Sequence, residues 1–223
     1  MTRNDPFALE LSADLIVRAY QAGIFPMAET ADSDDVFWVS PHLRGILPLD
    51  GFHLSHSLKK RIRRGGFSIR IDSNFDAVIK GCATEGSDRD DTWINRSIRT
   101  LYRELFDRHV CHTVEVWDDG ELIGGLYGLA IGGAFFGESM FHRRTDASKI
   151  ALAALVCRLR LGGFSLLDVQ FLTPHLASLG GVEVPRESYE QMLGVALKRE
   201  ADFYRWDGGG TLDDCLQSTS QTS

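Results

Sequence analysis

The stretch TDASKIALAALVCRLRLGGFSLLDVQF, residues 145–171, places a long helix directly before a buried strand. Thr145 or Asp146 can cap the start of the helix, and the glycine pair at 162–163 ends it. The apolar segment LLDVQF (166–171) is bounded by these glycines and by Pro174, which is typical of a strand. This helix–strand unit is the part of the chain around which the other elements must be arranged.

Two polar residues, Asp168 and Gln170, interrupt the strand. Because side chains alternate along a strand, these two share a face, roughly 6–7 Å from each other, and Leu167 points to the opposite face. An unpaired carboxylate in a core costs several kcal/mol or is neutralised. We therefore expect the two polar groups to face another polar group, a cleft or a cationic ligand.

Three strands precede the helix as a meander, HTVEVW (112–117), ELIGGLYGLAI (121–131) and GAFFGESMF (133–141), with an Asp-Gly turn at 118–120. Glu138 interrupts the third strand, and alternation places Met140 on its face. Glu138 is either at an exposed strand end, paired with Arg143 or Arg144, or part of a site with the two polar residues of LLDVQF. A cleft with two acids and an amide can hold a cationic group or accept a proton from a nucleophile.

The remaining pattern predicts helices after Ser12, at 56–64, 73–84, 95–106 and 187–198, and short strands at 36–41, 44–49 and 67–72. This order is α+β and fits a GNAT-like acyltransferase domain, a mixed sheet with flanking helices, preceded by a small N-terminal domain. We divide the chain into residues 1–50, a small N-terminal α/β domain packed on the core; 51–206, the GNAT-like catalytic domain; and 207–223, a polar tail expected to be disordered.

Composition narrows the class of protein. The chain has 223 residues and a net charge of −7, which argues against bulk nonspecific affinity for nucleic acid but leaves room for a local basic patch. No apolar run approaches the length of a membrane span. The four cysteines are scattered with no CxxC pair, which favours a reduced, cytoplasmic protein.

Five cationic side chains occur within six residues: Lys59, Lys60, Arg61, Arg63 and Arg64. They form either a solvated helix face or a contact with a phosphate backbone.

Two tryptophans also allow two interpretations. We favour the core for Trp38 and for Trp93, although a tryptophan at a loop–helix junction can stack on a base. The histidine pairs at 53/56 and 109/112 lack a third ligand, and no phosphate-binding glycine motif is present, so we expect no metal and no cofactor.

Seven segments together resemble the leucyl/phenylalanyl-tRNA–protein transferase family. They are AYQAGIFPM (19–27), WVSPHLRGILP (38–48), FHLSHSLKKRIRR (52–64), GCATEGSDRDDTWI (81–94), HTVEVWDDGELIGGLYGLAIG (112–132), FFGESMFHRRTDASKIAL (135–152) and LLDVQFLTPHLASLGGVEVPR (166–186). The resemblance implies transfer of Leu, Phe or Met from aminoacyl-tRNA to the N-terminal Arg or Lys of a protein, marking it for N-degron degradation. It also implies a small N-terminal domain on a GNAT-like domain.

The resemblance assigns roles by position. Glu138, Asp168 and Gln170 match the catalytic site, and Trp93 matches a residue beside the terminal adenosine. Met27 stands where the family usually has an adenosine-binding Trp, which weakens the expected contact because methionine stacks less well. The pocket for the aminoacyl side chain corresponds to Leu126, Phe135, Met140, Leu155 and Leu167, and the tRNA-contacting positions to Lys59, Lys60, Arg63 and Arg64.

The expected chemistry is amide formation from an activated ester. We expect Asp168 and Gln170 to orient the attacking amine, Asp168 to help remove its proton, and Glu138 to fix the acceptor amine or the ribose end. Which carboxylate takes the proton stays open. The alternative is an acyl-CoA-dependent N-acyltransferase of the same fold, disfavoured by the lack of a glycine-rich pyrophosphate loop before the helix at 146. We expect a monomer.

Overall fold

A computed structural model describes residues 11–31, 33, 35–85, 94–206 and 212–218. The helices are α1 Ala13–Gln21, α2 His56–Arg64, α3 Phe75–Glu85, α4 Arg96–Asp107, α5 Ala147–Gly162, α6 Pro174–Ser178, α7 Arg186–Ala196 and α8 Leu212–Ser218. The strands are β1 Phe25–Met27, β2 Phe37–Val39, β3 Leu43–Ile46, β4 Ser68–Ile71, β5 Cys111–Asp118, β6 Glu121–Ile131, β7 Ala134–His142, β8 Leu166–Gln170 and β9 Val182–Pro185.

Seven strands form one mixed sheet in the order β4-β5-β6-β7-β8-β3-β9. The pair β7–β8 is parallel and the other neighbours are antiparallel. Two apolar clusters account for the core: one contains α5 with residues of α2 and α8, and the other contains residues of α1, α3, α4 and α7. The predicted α+β, GNAT-like sheet with flanking helices is thus confirmed.

The helix α5 is buried almost all around, as its continuous apolar sequence requires. Asp146 occupies the N-cap position, but it has a left-handed backbone (φ 68°) and its side chain makes no capping bond. Its carboxylate instead accepts a hydrogen bond from Lys149 Nζ at 3.0 Å. The helix is therefore held by packing more than by its cap.

A β-bulge in β7 corrects one prediction about side-chain faces. Tyr127 of β6 lies opposite Ser139, and the next residue, Gly128, lies opposite Gly137, so Glu138 is an extra residue without a partner in the register. A bulge shifts the alternation by one position. Met140 accordingly packs against the cluster that contains α5, whereas Glu138 bonds tyrosines whose rings belong to the other cluster. The expectation that these two residues share a face is wrong.

Short strands near the N-terminus tie that segment to the large sheet. The segment GIFPM (23–27) contains β1, which pairs with β2 in a separate two-stranded sheet. The strand β3 lies between β8 and β9 of the large sheet, although the sequence division places it in the N-terminal part. The strand β9, which has four residues and runs directly into α7, was not predicted from the sequence.

The C-terminal segment contains a helix and a disulfide, which corrects two predictions. Residues 212–218 were expected to be disordered but form α8, whose Leu212 and Cys215 are buried. Their i, i+3 spacing gives the helix an apolar edge that polar neighbours hide in the sequence. Cys215 is bonded to Cys157 of α5, with the Cα atoms 6.1 Å apart, so these cysteines are not both reduced. Cys82 and Cys111 are buried and take part in no disulfide among the described residues.

Candidate active site

Asp168 is fully buried in β8 and is held by a guanidinium. Arg44 of β3 donates from Nε to Oδ1 at 2.9 Å and from Nη2 to Oδ2 at 2.7 Å, in the two-pronged geometry that suits a carboxylate. The two residues are brought together by the pairing of β3 with β8. Burial alone lowers the pKa of Arg44, but the hydrogen bonds and charge of Asp168 outweigh burial and raise it above its ordinary value.

Two further donors complete the surroundings of Asp168. The Tyr189 hydroxyl donates to Oδ2 at 2.6 Å, and the backbone N–H of Gln170 donates to Oδ1 at 2.8 Å. Burial and the Asp168 charge raise the pKa of Tyr189 well above its usual range, so its hydroxyl keeps its proton at neutral pH. The oxygens of Asp168 are therefore already engaged by protein donors.

Glu138 lies in a different setting at the bulge of β7. Tyr20 donates to Oε1 at 2.7 Å and Tyr102 donates to Oε2 at 3.0 Å, and the two hydroxyls are 2.7 Å apart. Burial raises the pKa of Glu138 to about 7, although the two tyrosine hydrogen bonds and the charge of Arg44 act to lower it. Glu138 therefore changes its charge near neutral pH.

Gln170 connects the two carboxylates. Its backbone N–H is bonded to Asp168, and its side-chain Nε2 donates to Glu138 Oε1 at 3.3 Å. The residue has a left-handed backbone (φ 57°), which turns the chain out of the strand at this point. The structure thus brings together all three residues that the sequence analysis assigned to catalysis.

The end of the β7–β8 pairing places this cluster at an opening in the sheet. The parallel register runs from Ala134 opposite Leu166 to Phe136 opposite Asp168 and includes no pair beyond that point. Glu138 and Gln170 follow these last paired residues on their respective strands. The arrangement leaves the amide and the carboxylate beside the gap between two strands rather than inside the ladder.

The predicted aminoacyl pocket lies on the opposite side of the sheet. Leu126, Phe135, Leu155 and Leu167 are buried members of the cluster that contains α5, and Met140 packs against it. Leu126 lies opposite Met140, and Phe135 lies opposite Leu167, in the register of the sheet. The sheet separates these residues from Asp168 and its tyrosine partner.

Residues expected to meet the terminal adenosine are only partly described. Met27 is partly buried on β1, opposite Phe37 of β2, whereas Trp93 lies outside the described residues. Trp38 was expected in the core, but 40% of its surface is exposed, and Phe37 is 43% exposed. Phe171, at the end of β8, is also exposed and packs edge-on against Phe25 of β1.

The basic helix α2 presents its cations to solvent while Leu58 and Ile62 anchor it to the core. Arg63 pairs with Asp213 of α8 at 3.3 Å. Between α2, α5 and α8 lies a surface cavity of about 340 Å³, lined in part by Lys59, Arg63 and Arg160. The predicted tRNA-contacting positions Lys59, Lys60, Arg63 and Arg64 are therefore all exposed on one helix.

Sequence reasoning missed four residues that hold the site together: Arg44, Tyr20, Tyr102 and Tyr189. The two tyrosines that bond Glu138 lie on the helices predicted after Ser12 and at 95–106, where helical spacing does not distinguish them from core residues. An arginine within the apolar segment HLRGILP was the available signal, because a buried cation requires a buried anion.

Comparisons with known proteins point to one family. Residues 46–194 match the family described as leucyl/phenylalanyl-tRNA protein transferase, and residues 10–42 match its N-terminal domain. Two relatives from Rhodopseudomonas palustris, both called leucyl/phenylalanyl-tRNA–protein transferase, are 54% identical over 202 residues (strain TIE-1) and 53% identical over 203 residues (strain HaA2). The alignments cover 91% of this chain and 90% and 91% of the relatives. Among solved structures, L-PGS from Bacillus licheniformis is 11% identical, with a TM-score of 0.40 over 74% of this chain and 55% of that chain, a likeness too slight to inform fold or function.

Proposed function

We propose that this chain, which belongs to the leucyl/phenylalanyl-tRNA–protein transferase family, transfers Leu, Phe or Met from aminoacyl-tRNA to the N-terminal Arg or Lys of acceptor proteins. The added residue would mark the acceptor for N-degron degradation. The observation that carries the proposal is the family match over nearly the whole chain. The cluster of Glu138, Asp168 and Gln170 supports it as a site for a cationic acceptor.

The reaction is the aminolysis of an ester. The α-amine attacks the ester carbonyl carbon, the C–N bond forms, the C–O bond to the ribose breaks, and tRNA leaves with its hydroxyl restored. An α-amine has a pKa of about 8, so a fraction is neutral near pH 7. The enzyme must hold the two reactants together, which can itself lower the barrier by several kcal/mol, and it must move one proton from nitrogen to the ribose oxygen.

The geometry supports Glu138 as the group that takes the proton. A general base works best when its pKa lies near the working pH, and that of Glu138 is about 7. Its hydroxyl partners Tyr20 and Tyr102 remain protonated, because burial and the charge of Glu138 raise their pKa values well above the usual range. Glu138 can then return the proton to the leaving ribose oxygen.

Asp168 receives a different role from the one first expected. The sequence favours it as a helper in deprotonation, but its oxygens accept from Arg44, Tyr189 and the backbone of Gln170. These donors occupy the oxygens that would have to accept the proton. In the proposal, Asp168 holds Gln170, and the Gln170 amide oxygen accepts a hydrogen bond from the attacking amine.

The donor's side chain enters the apolar cluster on the α5 side of the sheet. Leu126, Phe135, Met140, Leu155 and Leu167 line its path in this proposal, and their apolar character suits Leu, Phe and Met. A charged side chain would lose its hydration there without gaining a partner. Met27 and Trp93 are proposed to contact the terminal adenosine.

The exposed basic face of α2 is proposed to contact the tRNA backbone through Lys59, Lys60, Arg63 and Arg64. Such contacts weaken as salt rises, because each neutralised phosphate releases a counterion. None of the described helices is long and apolar enough to cross a membrane. We propose that the protein works as a monomer in the cytoplasm, where aminoacyl-tRNA is available.

A direct test combines the purified protein, radiolabelled Leu-tRNA and an Arg-initiated peptide. The expected result is labelled peptide with an added N-terminal leucine, formed without ATP. A peptide that begins with Glu is the matched acceptor control, and RNase treatment of the donor must abolish labelling. A parallel reaction with acetyl-CoA tests the acyl-CoA alternative. Acetylated peptide together with an absence of leucine transfer would overturn the proposal.

A further inference from the structure

Arg44 is a charged side chain at the centre of the molecule. It is 1% exposed, and its partner Asp168 is fully buried. Taking two such charges out of water costs several kcal/mol per ion, and a well-packed apolar pair is often as stable. Fold stability alone therefore gives little reason for an ion pair here, which directs attention to what the pair holds in place.

The Arg44 guanidinium is held by contacts on several sides. Its carbon lies 4.5 Å from the ring centre of Phe25 on β1 and 4.6 Å from that of Tyr189 on α7. Its Nη1 donates to the carbonyl of Gly23 at 3.1 Å. Together with the hydrogen bonds to Asp168, these contacts leave the Arg44 side chain little freedom to change orientation.

The fixed position of the Arg44 guanidinium also restricts the position of the Gln170 side-chain amide. The fork of Arg44 sets the plane of the Asp168 carboxylate, whose Oδ1 accepts the backbone N–H of Gln170. That bond lies at the residue where the backbone becomes left-handed (φ 57°), so it supports an unfavourable conformation for a residue other than glycine. The same conformation turns the Gln170 side chain toward Glu138.

We propose that Arg44 is a positioning residue of the transfer reaction, which acts through Asp168 to hold the Gln170 amide beside Glu138. Tyr189 assists as the second side-chain donor to Asp168. The inference rests on the proposed function, since it assumes that Gln170 and Glu138 act on the acceptor amine. It adds a role for a residue that lies 124 positions away from its carboxylate partner in the chain.

Arg44→Lys is the primary test, because lysine keeps the charge but cannot form the two-pronged contact. Single-turnover transfer from Leu-tRNA to an Arg-initiated peptide should slow by about tenfold to 100-fold, the order of effect expected for a small misplacement of a catalytic group. The KM for Leu-tRNA should stay within about threefold of the wild-type value, because the α2 contacts are unchanged. A wild-type turnover rate for a folded Arg44→Lys protein would overturn the inference.

A double-mutant cycle separates positioning from general loss of structure. If Arg44 acts through Gln170, Arg44→Lys should slow transfer by less than about threefold in a Gln170→Ala background. If the two substitutions instead multiply their effects, Arg44 does not act through Gln170 and the inference is wrong. Should Arg44→Lys fail to fold, Tyr189→Phe is used in the same cycle, with an expected slowing of about threefold to tenfold alone.

Arg158→Lys is the matched control. Arg158 is also a buried arginine, 5% exposed, and it packs against the rings of Phe203 and Trp206 on the other side of the sheet. Its substitution should lower thermal stability and leave the turnover rate unchanged. If the wild-type protein transfers no leucine, the proposed function fails; if the wild type is active and Arg44→Lys equally so, only the present inference fails.

Discussion

Asp168 and Glu138 are two carboxylates on adjacent strands that have different hydrogen-bonding partners. Asp168 is paired with a guanidinium and accepts further hydrogen bonds from Tyr189 and the backbone of Gln170. Within the described part of the chain, the donors to Glu138 are the neutral groups of Tyr20, Tyr102 and Gln170, and burial raises its pKa to about 7. The comparison teaches that the partners of a buried acid decide its role: a guanidinium fixes one carboxylate in place, whereas neutral donors leave the other able to exchange a proton near pH 7.

The largest effect on stability is expected when the supporting carboxylate loses its charge. Asp168→Asn leaves the Arg44 guanidinium buried without a counter-ion, which should reduce the free energy of unfolding by about 3–5 kcal/mol. Urea denaturation at pH 7 measures the loss. Asp76→Asn is the control, because its partner Arg103 and the carboxylate itself are exposed, and such pairs contribute at most about 1 kcal/mol. Equal losses from the two variants would contradict a distinct role for the buried pair.

The second prediction concerns Glu138 and has the opposite sign. Because its pKa is raised from 4.5 to about 7, the folded state favours the protonated acid, so stability is lost as pH rises from about 4.5 through 7. Glu138→Gln should therefore unfold with a free energy about 3 kcal/mol higher than the wild type at pH 8. Below pH 5 the difference should disappear.

The same variant should lose transfer activity, since glutamine cannot accept the proton. Thermal melts of both proteins from pH 4 to pH 8.5, with single-turnover rates at pH 8, provide the measurement. If the variant is less stable than the wild type at pH 8, ionised Glu138 does not destabilise the folded state and this prediction is wrong. A variant with an undiminished rate would show that another group is the base.

The smallest effect is expected from the tyrosine partners of Glu138. Each hydroxyl lowers the pKa of Glu138, so Tyr102→Phe should raise it and shift the rise of kcat/KM to a pH higher by about half a unit to one unit. Tyr127→Phe is the matched control, because the Tyr127 hydroxyl is buried and has no hydrogen-bond partner among the described residues. An unchanged pH profile for Tyr102→Phe would separate the tyrosine from the titration of Glu138.

Local patterns in the sequence predicted much of the site. Alternation within LLDVQF correctly placed Asp168 and Gln170 side by side, and the helical pattern at 145–162 located α5. Alternation failed at Glu138 and Met140, because one extra residue in a bulge reverses the faces and leaves no mark on composition.

Contacts between distant segments could not be predicted from local sequence patterns. Arg44 and Asp168 meet only after β3 inserts between β8 and β9, and the sequence contains no local signal for that pairing. The bond between Cys157 and Cys215 joins residues 58 positions apart, one of which lies in a segment whose composition resembles a disordered tail. Local physics determines individual elements, whereas the partner of a buried charge depends on topology.

The disulfide between α5 and α8 closes a covalent ring that contains β8, α6, β9 and α7. The carboxylate Asp168, the amide Gln170 and the hydroxyl donor Tyr189 therefore all belong to one closed loop of chain. A single proteolytic cut anywhere between Cys157 and Cys215 would leave two fragments that migrate together until a reductant separates them. The half of the site carried by β8 and α7 thus stays joined to α5 even after its backbone is broken.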